Sequence, residues 1–446
     1  MKNIANTSTE RPVNDASVKN RQMVRATIAS LIGWSLDLYD LFLLLFVATT
    51  IGNLFFPASN QTLSLAAVYA SFAVTLLMRP LGSAIFGIYA DKNGRKKAMT
   101  VAIIGAGLCT AAFGLLPTIH QVGVVAAIAF LILRLVQGVF VGGVVASTHT
   151  IGTESASPKY RGFMSGLIGG GGAGLGALFA SISYSVVTAI FPGEAFDVWG
   201  WRVMFFTGII GSLFGLFIFR SLEESPLWKQ LKEENSKGEV SEFQKAPLKT
   251  FFTKYYKVLL VNLMIVIGGG SGYYLTSGFI PTFLKVVNKV SASVSSGVLI
   301  ATSIMTIVAA VLVGHLSEVI GRKKTFLLIG ILCLVGLPYF YLSLANSTTT
   351  TGIYLNALGL IFLGNAAYAP VLIFLNERFP TSIRSTGTGL SWNMGFAIGG
   401  MMPTFVNLAS GTVEHIPYTL MYFTIGIYLV YILGSLIIPE TKGNLK

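Results

Sequence analysis

Twelve long apolar segments follow one another along this chain, and they constrain its fold more than any other feature. A helix rises about 1.5 Å per residue, so about 20 residues cross the roughly 30 Å of hydrocarbon in a bilayer. Because a backbone in lipid must satisfy its own polar groups, segments of this kind are helical. We call the segments spans 1 to 12, and they lie at 24–50, 64–90, 98–116, 124–149, 162–190, 203–220, 258–284, 294–316, 325–345, 352–375, 386–409 and 418–438.

The composition excludes a soluble globular protein. Only 11% of the residues are charged and 53% are hydrophobic, whereas about 25% charged residues is usual in soluble domains. We therefore predict an all-α polytopic membrane protein. Both cysteines, Cys109 and Cys333, lie inside apolar segments, which disfavours disulfides and a thiolate metal site. The G-x-x-x-x-G-K-[ST] phosphate loop and the H-E-x-x-H metal motif are absent from the sequence. We therefore expect no cofactor, no metal and no enzymatic activity.

The spans fall into two sets of six. A polar stretch rich in Lys and Glu, residues 221–256, separates the two sets. The predicted domains are therefore a six-helix bundle at 1–220, a cytoplasmic linker at 221–256, and a second six-helix bundle with a short tail at 257–446.

Positive charge predicts the orientation of the spans. If successive spans alternate in direction, 26 of the 31 Lys and Arg residues lie on the side of both termini, and Arg202, Lys285 and Lys289 lie on the other side. Cytoplasmic loops carry such an excess, so both termini are predicted to be cytoplasmic in a cell membrane. The net charge of +13 then reports topology, and we expect a lipid bilayer but no nucleic acid as a partner. We expect the chain to function as a monomer.

A loop motif recurs at half the length of the chain. After span 2 the sequence reads Gly87-Ile-Tyr-Ala-Asp91-Lys-Asn-Gly94-Arg95-Lys96-Lys97. After span 8, 227 positions further on, it reads Gly314-His-Leu-Ser-Glu318-Val-Ile-Gly321-Arg322-Lys323-Lys324. A matched motif at such a spacing indicates two related, pseudo-symmetric halves.

These loops resemble the signature of the major facilitator superfamily, G-x-x-x-D-x-x-G-R-[RK], which implies twelve helices in two six-helix halves and transport by alternating access. Other segments resemble the metabolite:proton symporter branch of that superfamily, namely Trp34–Asp40, Ile51–Pro57, Arg79–Gly82, Gln137–Gly138, Arg161–Gly162 and Pro380–Gly389. Glu224–Pro226 and Pro439–Gly443 are similar to sugar porters. The glutamine motif of sugar porters is replaced here by Gly268–Tyr274.

Acidic and basic side chains in the loops predict a cytoplasmic gate. Each acid can accept hydrogen bonds from helix amino termini and pair with a nearby arginine, and exposed pairs of this kind are remade at a cost of about 0 to 1 kcal/mol. The predicted pairs are Asp91 with Arg95, Glu318 with Arg322, Glu154 with Arg161 and Glu377 with Arg384, and the predicted gate also includes Gly94 and Gly321. The alternative is that these loops only set the topology.

Four charged residues interrupt the spans near the middle of the bilayer. They are Asp37 and Asp40 in span 1, Arg79 in span 2 and Arg134 in span 4. A charge at that depth costs at least about 2.5 to 3.5 kcal/mol, so such residues face a polar cavity or pair with one another. We predict that Asp40, or else Asp37, takes up a coupling proton and that Arg134 is linked to it. The alternative is a set of ion pairs that fixes helix packing.

Neutral polar and aromatic residues in the second half complete a predicted substrate site. An arginine suits a carboxylate because its planar fork binds the two oxygens together, whereas Tyr, Trp and Asn donate or accept single hydrogen bonds. The predicted binding residues are Arg134, Arg79, Gln137, Tyr273, Tyr274, Asn365, Tyr368, Trp392 and Asn393. The alternative for each neutral residue is a helix interface.

Glycines mark two further features. Gly162, Gly166, Gly170 and Gly174 form a small-residue stripe along span 5, which predicts close helix contact. Glycines 268 to 270 predict either a bend in span 7 or close packing.

The function predicted from these features is proton-coupled symport of a small organic anion of the carboxylate type. The alternatives are a proton-coupled sugar symporter, a drug or metabolite efflux antiporter, a non-transporting sensor and a membrane-embedded enzyme. Two intramembrane arginines argue against efflux of cationic drugs, and the short termini argue against a sensor.

Overall fold

Helices form almost all of the chain that the structure describes. The computed structural model describes residues 13–93, 95–154, 161–220, 252–379 and 384–444, and these ranges contain no strand. The helices of the first half are Val13–Phe46 and Ala48–Phe55 in span 1, Gln61–Asn93 in span 2, Arg95–Leu115 in span 3, Val125–Glu154 in span 4, Arg161–Gly166 and Gly172–Ile190 in span 5, and Trp201–Arg220 in span 6, with one short helix, Ile119–Val122, between spans 3 and 4. The π-helical turns Leu167–Gly171 and Phe196–Gly200 lie within span 5 and before span 6.

The second half repeats this arrangement. Its helices are Tyr256–Thr276 and Ile280–Val286 in span 7, Ala292–Ile320 in span 8, Arg322–Ala345 in span 9, Thr350–Ala366 and Val371–Arg378 in span 10, Arg384–Ser410 in span 11, and Ile416–Ile437 in span 12, which a short 3-10 helix, Val413–His415, precedes. Residues 221–251 of the predicted linker lie outside the described residues.

The helices are suited to lipid. Nine helical segments in the described ranges are long and apolar enough to cross a membrane, and the helices of spans 3, 6 and 11 complete the set of twelve. Large apolar side chains cover the outside, among them Leu108, Leu355 and Phe217, which are 61%, 65% and 74% exposed. A water-soluble monomer rarely exposes apolar surface on this scale. The prediction of an all-α polytopic membrane protein is therefore confirmed.

The packing of the spans shows the predicted twofold repeat. In the first half, span 2 packs on span 4, span 3 on span 6, and span 1 on span 5. The same pairs recur six spans later, as 8 on 10, 9 on 12, and 7 on 11. The halves meet where span 2 packs on span 11 and span 5 packs on span 8. Because the spans alternate in direction, the start of span 1 and the end of span 12 lie at one face of this bundle, which we call the termini face, and the other is the opposite face.

The glycine stripe of span 5 lies against span 8. A Cβ atom on Gly166 would lie 2.3 Å from the Ala310 carbonyl oxygen, and one on Gly174 would lie 2.8 Å from the Ser303 carbonyl oxygen. Both distances are shorter than a real contact allows, so only glycine permits the backbones to approach this closely. The packing interpretation of the stripe is confirmed.

Spans 7 and 10 are both interrupted near the centre of the bundle. Span 7 is continuous through glycines 268 to 270 and breaks later, at residues 277–279. Gly268 and Gly270 instead pack against the rings of Tyr431 and Phe396, so their role is packing rather than bending. Span 10 breaks at residues 367–370, immediately after Asn365 and Ala366.

Candidate functional site

A buried ion pair lies at the meeting of spans 1 and 2. Arg79 Nη1 is 3.3 Å from Asp37 Oδ2, and the two side chains are 6% and 1% exposed. Among the described side chains, neither Asp37 Oδ1 nor Arg79 Nε has a hydrogen-bond partner. The pair therefore keeps one acceptor and one donor that a bound molecule can use.

Arg134 belongs to a separate polar group inside the first half. Its Nη1 donates to Gln137 Oε1 at 2.7 Å, and Gln137 Nε2 donates to Thr110 Oγ1 at 2.8 Å. Its guanidinium carbon lies 4.3 Å from the ring centre of Phe113 and 5.3 Å from that of Phe130. Aromatic faces stabilise a buried cation of this kind.

Asp40 lies beside the Arg134 group without joining it in an ion pair. Its side chain is buried, at 7% exposure, next to Gly208 and Thr110. Its carboxylate interacts electrostatically with Arg134. Among the described side chains, however, the Asp40 carboxylate forms no salt bridge within 4.0 Å. The structure therefore divides the four predicted charges into Asp37 with Arg79, and Asp40 near Arg134.

Six aromatic rings meet where the two halves join, and we call them the aromatic cluster. They are Trp34, Tyr273, Tyr274, Tyr368, Trp392 and Phe396. Trp392 stacks on Phe396 at 4.3 Å between ring centres and lies 5.5 Å from Tyr368 and 6.0 Å from Trp34. Tyr273 lies 5.2 Å from Tyr274 and 5.5 Å from Tyr368. Four of these residues were predicted to bind substrate.

The aromatic cluster adjoins the Asp37–Arg79 pair. Trp34 precedes Asp37 by three residues on one helix and so shares its face, and Tyr273 interacts electrostatically with both charges. The Tyr273 hydroxyl is buried, and it has no hydrogen-bond partner in the part of the chain that the structure describes. Aromatic faces, a carboxylate and a guanidinium thus share one region.

The two predicted asparagines make helix-to-helix contacts. Asn365 Nδ2 donates to Ser277 Oγ at 2.8 Å and ties the break in span 10 to the break in span 7. Asn393 Nδ2 donates to Ser83 Oγ at 3.2 Å and joins span 11 to span 2. Asn393 Oδ1 is buried and unpartnered among the described side chains.

Sequence reasoning missed several residues of this site. Trp34 and Phe396 complete the aromatic cluster, and Thr110 supports Gln137. Helical spacing could have indicated Trp34 and Phe396. Trp34 lies three residues before Asp37, and Phe396 lies four residues after Trp392, so each shares a helix face with a predicted residue. No local signal marks Thr110, because its partner lies 27 residues away.

A charge cluster at the termini face connects the two halves. Arg322 donates to both oxygens of Glu377 at 3.0 Å and to Glu318 Oε1 at 2.7 Å. Glu318 Oε1 also accepts a hydrogen bond from the backbone N–H of Gly162 at the start of span 5. Glu318 therefore links span 8 of the second half to span 5 of the first.

The C-terminal segment covers this charge cluster. Glu440 accepts hydrogen bonds from the backbone N–H of Arg322 at 2.8 Å and of Lys323 at 3.2 Å, at the amino terminus of span 9. Thr441 Oγ1 donates to Glu377 Oε2 at 2.9 Å. Gly321 has a φ of +96°, and a Cβ there would lie 2.4 Å from Glu440 Oε2. Partial burial raises the pKa of Glu440, but the backbone hydrogen bonds outweigh it and hold the pKa below its ordinary value.

Part of the predicted gate cannot be placed. Gly94 lies outside the described residues, and the side chains of Asp91, Arg95, Glu154 and Arg384 lie outside the described side chains. Arg161 is half-buried at the start of span 5. Glu377, predicted to pair with Arg384, binds Arg322 in the described part of the chain. Among the described residues, no group of three His, Cys, Asp or Glu side chains is arranged to hold a metal ion.

A family model described as the Major Facilitator Superfamily matches residues 26–404. The chain belongs to this superfamily. Its members are transporters rather than enzymes, so this chain is a membrane transporter.

Relatives and solved structures agree with this family. The chain is 30% identical over 443 residues to the proline/betaine transporter of Escherichia coli strain K12, covering 96% of this chain and 85% of that protein. It is 30% identical over 432 residues to the glycine betaine/proline/ectoine/pipecolic acid transporter OusA of Dickeya dadantii strain 3937, with the same coverage. The partially occluded inward-open structure of the xylose transporter XylE from E. coli matches with a TM-score of 0.70 and 18% identity, over 95% of this chain and 99% of that one. That structure supports the fold alone.

Proposed function

We propose that this transporter carries a small zwitterion, one with a carboxylate and a cationic nitrogen, in symport with protons. Glycine betaine and proline are the model substrates. The observation that carries the proposal is the aromatic cluster beside the Asp37–Arg79 pair. The names of the relatives, which specify proline and betaine, support it.

The aromatic cluster suits the cationic end of such a molecule. Stacked and edge-on rings present electron-rich faces, and cages of this kind recognise quaternary ammonium groups with about 0.5 to 2 kcal/mol per good contact. A purely anionic substrate would gain nothing from these faces. The expectation of a simple carboxylate is therefore replaced by a zwitterion.

The Asp37–Arg79 pair suits both charged groups of a zwitterionic substrate. The pair is neutral overall, and so is a zwitterion, so binding buries no uncompensated charge. The carboxylate of the substrate takes the place of Asp37 beside Arg79, and the cationic nitrogen moves to Asp37 and the rings. Each charged group exchanges one buried partner for another, which keeps the cost of desolvation small.

Asp40 is proposed as the proton site. It is not part of the Asp37–Arg79 ion pair, and it interacts electrostatically with Asp37 and with Arg134, which is hydrogen-bonded to Gln137. An ionised Asp40 attracts Arg134, whereas a protonated Asp40 leaves Arg134 with Gln137, so protonation rearranges contacts between spans 1 and 4. Such a rearrangement can bias the rocking of the halves on each other.

The proposal is tested by substrate choice in proteoliposomes. We expect saturable uptake of labelled glycine betaine and proline under an inward proton gradient, and loss of that uptake when a protonophore collapses the gradient. The isosteric carboxylate tert-butylacetate, in which carbon replaces the ammonium nitrogen, should compete at least tenfold more weakly, because it lacks the charge that the rings recognise. Accumulation of xylose or succinate without either zwitterion would overturn the proposal.

A further inference from the structure

A cavity lies between the halves at the opposite face of the bundle. Its volume is about 250 Å³, and by this measure a single water needs only about 10 to 15 Å³. The ends of spans 1 and 5 and the start of span 6 line one side, and spans 7 and 8 line the other. We call this cavity the vestibule.

One wall of the vestibule has the chemistry of a cation site. Tyr184 lies 6.0 Å from Phe46 and 5.7 Å from Phe196, each ring edge-on to the next. Asp197 follows Phe196, lines the same cavity, and accepts a hydrogen bond of 2.9 Å from Thr50 Oγ1. Rings and a positioned carboxylate attract a cationic nitrogen together.

The other wall carries a positive charge. Lys285 of span 7 lines the vestibule with an exposed side chain. Among the described side chains it forms no salt bridge within 4.0 Å, with Asp197 or with any other acid. Opposite charges thus stand on two sides of one cavity, where an ammonium can bind a carboxylate as a charge-assisted contact.

The vestibule is connected to the aromatic cluster by neighbouring rings. Phe46 lies 5.7 Å from Phe42, and Phe42 lies 6.1 Å from Tyr273. The rings of Tyr184, Phe46, Phe42 and Tyr273 therefore form a continuous row from the cavity to the centre of the bundle.

We propose that the vestibule is a separate entry site that binds the zwitterionic substrate before it reaches the aromatic cluster. The cationic nitrogen binds at Asp197 and Tyr184, and the carboxylate binds at Lys285. This inference rests on the proposed function for the choice of ligand, but the site itself is distinct from the Asp37–Arg79 pair.

The test measures ligand protection inside the vestibule itself. Thr188 lines the cavity, and both native cysteines are buried, so Thr188→Cys provides one accessible thiol for a membrane-impermeant maleimide. Glycine betaine should slow the alkylation of this thiol in a saturable way. Tetramethylammonium or acetate alone should need at least a tenfold higher concentration for the same protection, since each can bind only one of the two charged walls. Protection should persist when Trp392→Ala disables the aromatic cluster.

Variants of the two walls give the decisive comparison. Asp197→Asn and Lys285→Met should each raise the concentration of glycine betaine needed for protection about tenfold. Glu194→Gln and Lys289→Met are the matched controls, because they remove the same kinds of charge three or four residues away but do not line the vestibule, and they should leave protection unchanged. Either wall variant suffices if the other fails to fold.

The outcomes separate the vestibule from the proposed function. Uptake of zwitterions without protection of the thiol overturns the vestibule and leaves the proposed function standing. Protection without uptake supports the vestibule and overturns the proposed function. Protection that disappears in Trp392→Ala but survives in both wall variants reports occupancy of the aromatic cluster, and it overturns the vestibule.

Discussion

Asp37 and Asp40 share one helix face but have different neighbours. Asp37 binds Arg79 and lies beside the aromatic cluster, whereas Asp40 lies beside Thr110 and near Arg134. Three residues of separation turn a helix by nearly one full turn, so the two carboxylates differ mainly in depth and in the helices that pack beside them. This difference assigns them separate proposed roles.

Asp40→Asn should uncouple transport from the proton gradient. An amide cannot exchange a proton, so gradient-driven accumulation of glycine betaine should be lost, while exchange of labelled for unlabelled substrate should remain, since exchange moves no net proton. Uptake and counterflow in the same proteoliposomes measure the two activities. Asp37→Asn is the matched control and should impair both. Full accumulation by Asp40→Asn would contradict the assigned role.

Trp392 should contribute to affinity through the face of its ring. Trp392→Leu should weaken binding of glycine betaine by about 2- to 30-fold, the range expected for loss of one cation–π contact of about 0.5 to 2 kcal/mol. Trp392→Phe retains a ring and should lose less. Calorimetric titration with glycine betaine and with tert-butylacetate measures the loss of affinity in each variant. Equal losses for both ligands would mean that the ring acts only by packing.

At the scale of elements, span 5 and span 8 depend on glycine for their contact. A Cβ atom added at Gly166 would meet the backbone carbonyl oxygen of Ala310 in span 8. A backbone oxygen cannot move away as a side chain can. The contact also lies close to the hydrogen bond between Gly162 and Glu318 that links the halves. Substitution in this stripe should therefore affect both stability and transport.

Gly166→Ala should destabilise the bundle although alanine is the better helix former. The overlap with Ala310 should cost about 1 to 3 kcal/mol, more than the 0.5 to 1 kcal/mol gained from helix propensity. Gly171→Ala is the control, because its Cβ would lie 3.3 Å from the Leu167 side chain and 3.7 Å from the Gly166 carbonyl oxygen, and so would overlap no backbone atom. Thermal unfolding in detergent compares the two variants. A gain in Tm for Gly166→Ala would contradict the packing described.

Glu440 should stabilise the start of span 9 in a pH-dependent way. Glu440→Gln should cost about 0.5 to 2 kcal/mol at neutral pH, as for loss of a helix cap. Because the pKa of Glu440 lies below its ordinary value in the folded state, this stabilisation is present above the ordinary pKa of about 4.3 and is lost as the pH falls through the lower folded value. The difference in Tm between wild type and variant, followed with pH, should shrink accordingly. A constant difference would contradict the assignment.

At the scale of the whole molecule, the charge cluster at the termini face holds the halves together. It joins span 5 to spans 8, 9 and 10 and is covered by the C-terminal segment. Opening that face requires the link between Glu318 and Gly162 to break. The link is thus proposed as a gate whose strength biases alternating access.

Glu318→Ala should shift the equilibrium toward a state open at the termini face. Transport should fall several-fold, while binding of glycine betaine should change little, because Glu318 is remote from the aromatic cluster. Glu318→Gln, which keeps an acceptor for the Gly162 N–H, should be milder. Alkylation of an engineered thiol by reagents supplied from the termini side measures the opening. Wild-type transport with unchanged alkylation would count against a gate at this position.

Much of the site was predictable because the membrane makes single residues conspicuous. A charge inside an apolar span is costly, so Asp37, Asp40, Arg79 and Arg134 stood out. The pair of Glu318 with Arg322 was also accessible, because the two residues are only four positions apart, on either side of the turn between spans 8 and 9. Two other contacts of Arg322 could not be predicted from the sequence. Its side chain binds Glu377, 55 positions away, and its backbone N–H binds Glu440, 118 positions away.

The twelve helices, the repeat of the two halves, the superfamily and the identity of the buried charges all follow from the sequence alone. Each of these features can be recognised within one segment, or by comparing two segments with each other. In a bilayer every spanning segment must satisfy its own backbone polar groups, so each apolar segment forms a helix independently of the others. The sequence does not reveal that Asp37 binds Arg79, that Arg134 binds Gln137 instead, or that rings from spans 1, 7, 10 and 11 meet, because these contacts form only when the helices pack. Such contacts depend on how each helix is rotated about its axis, and close approaches at small residues such as Gly166 and Gly174 set that rotation across long separations in sequence.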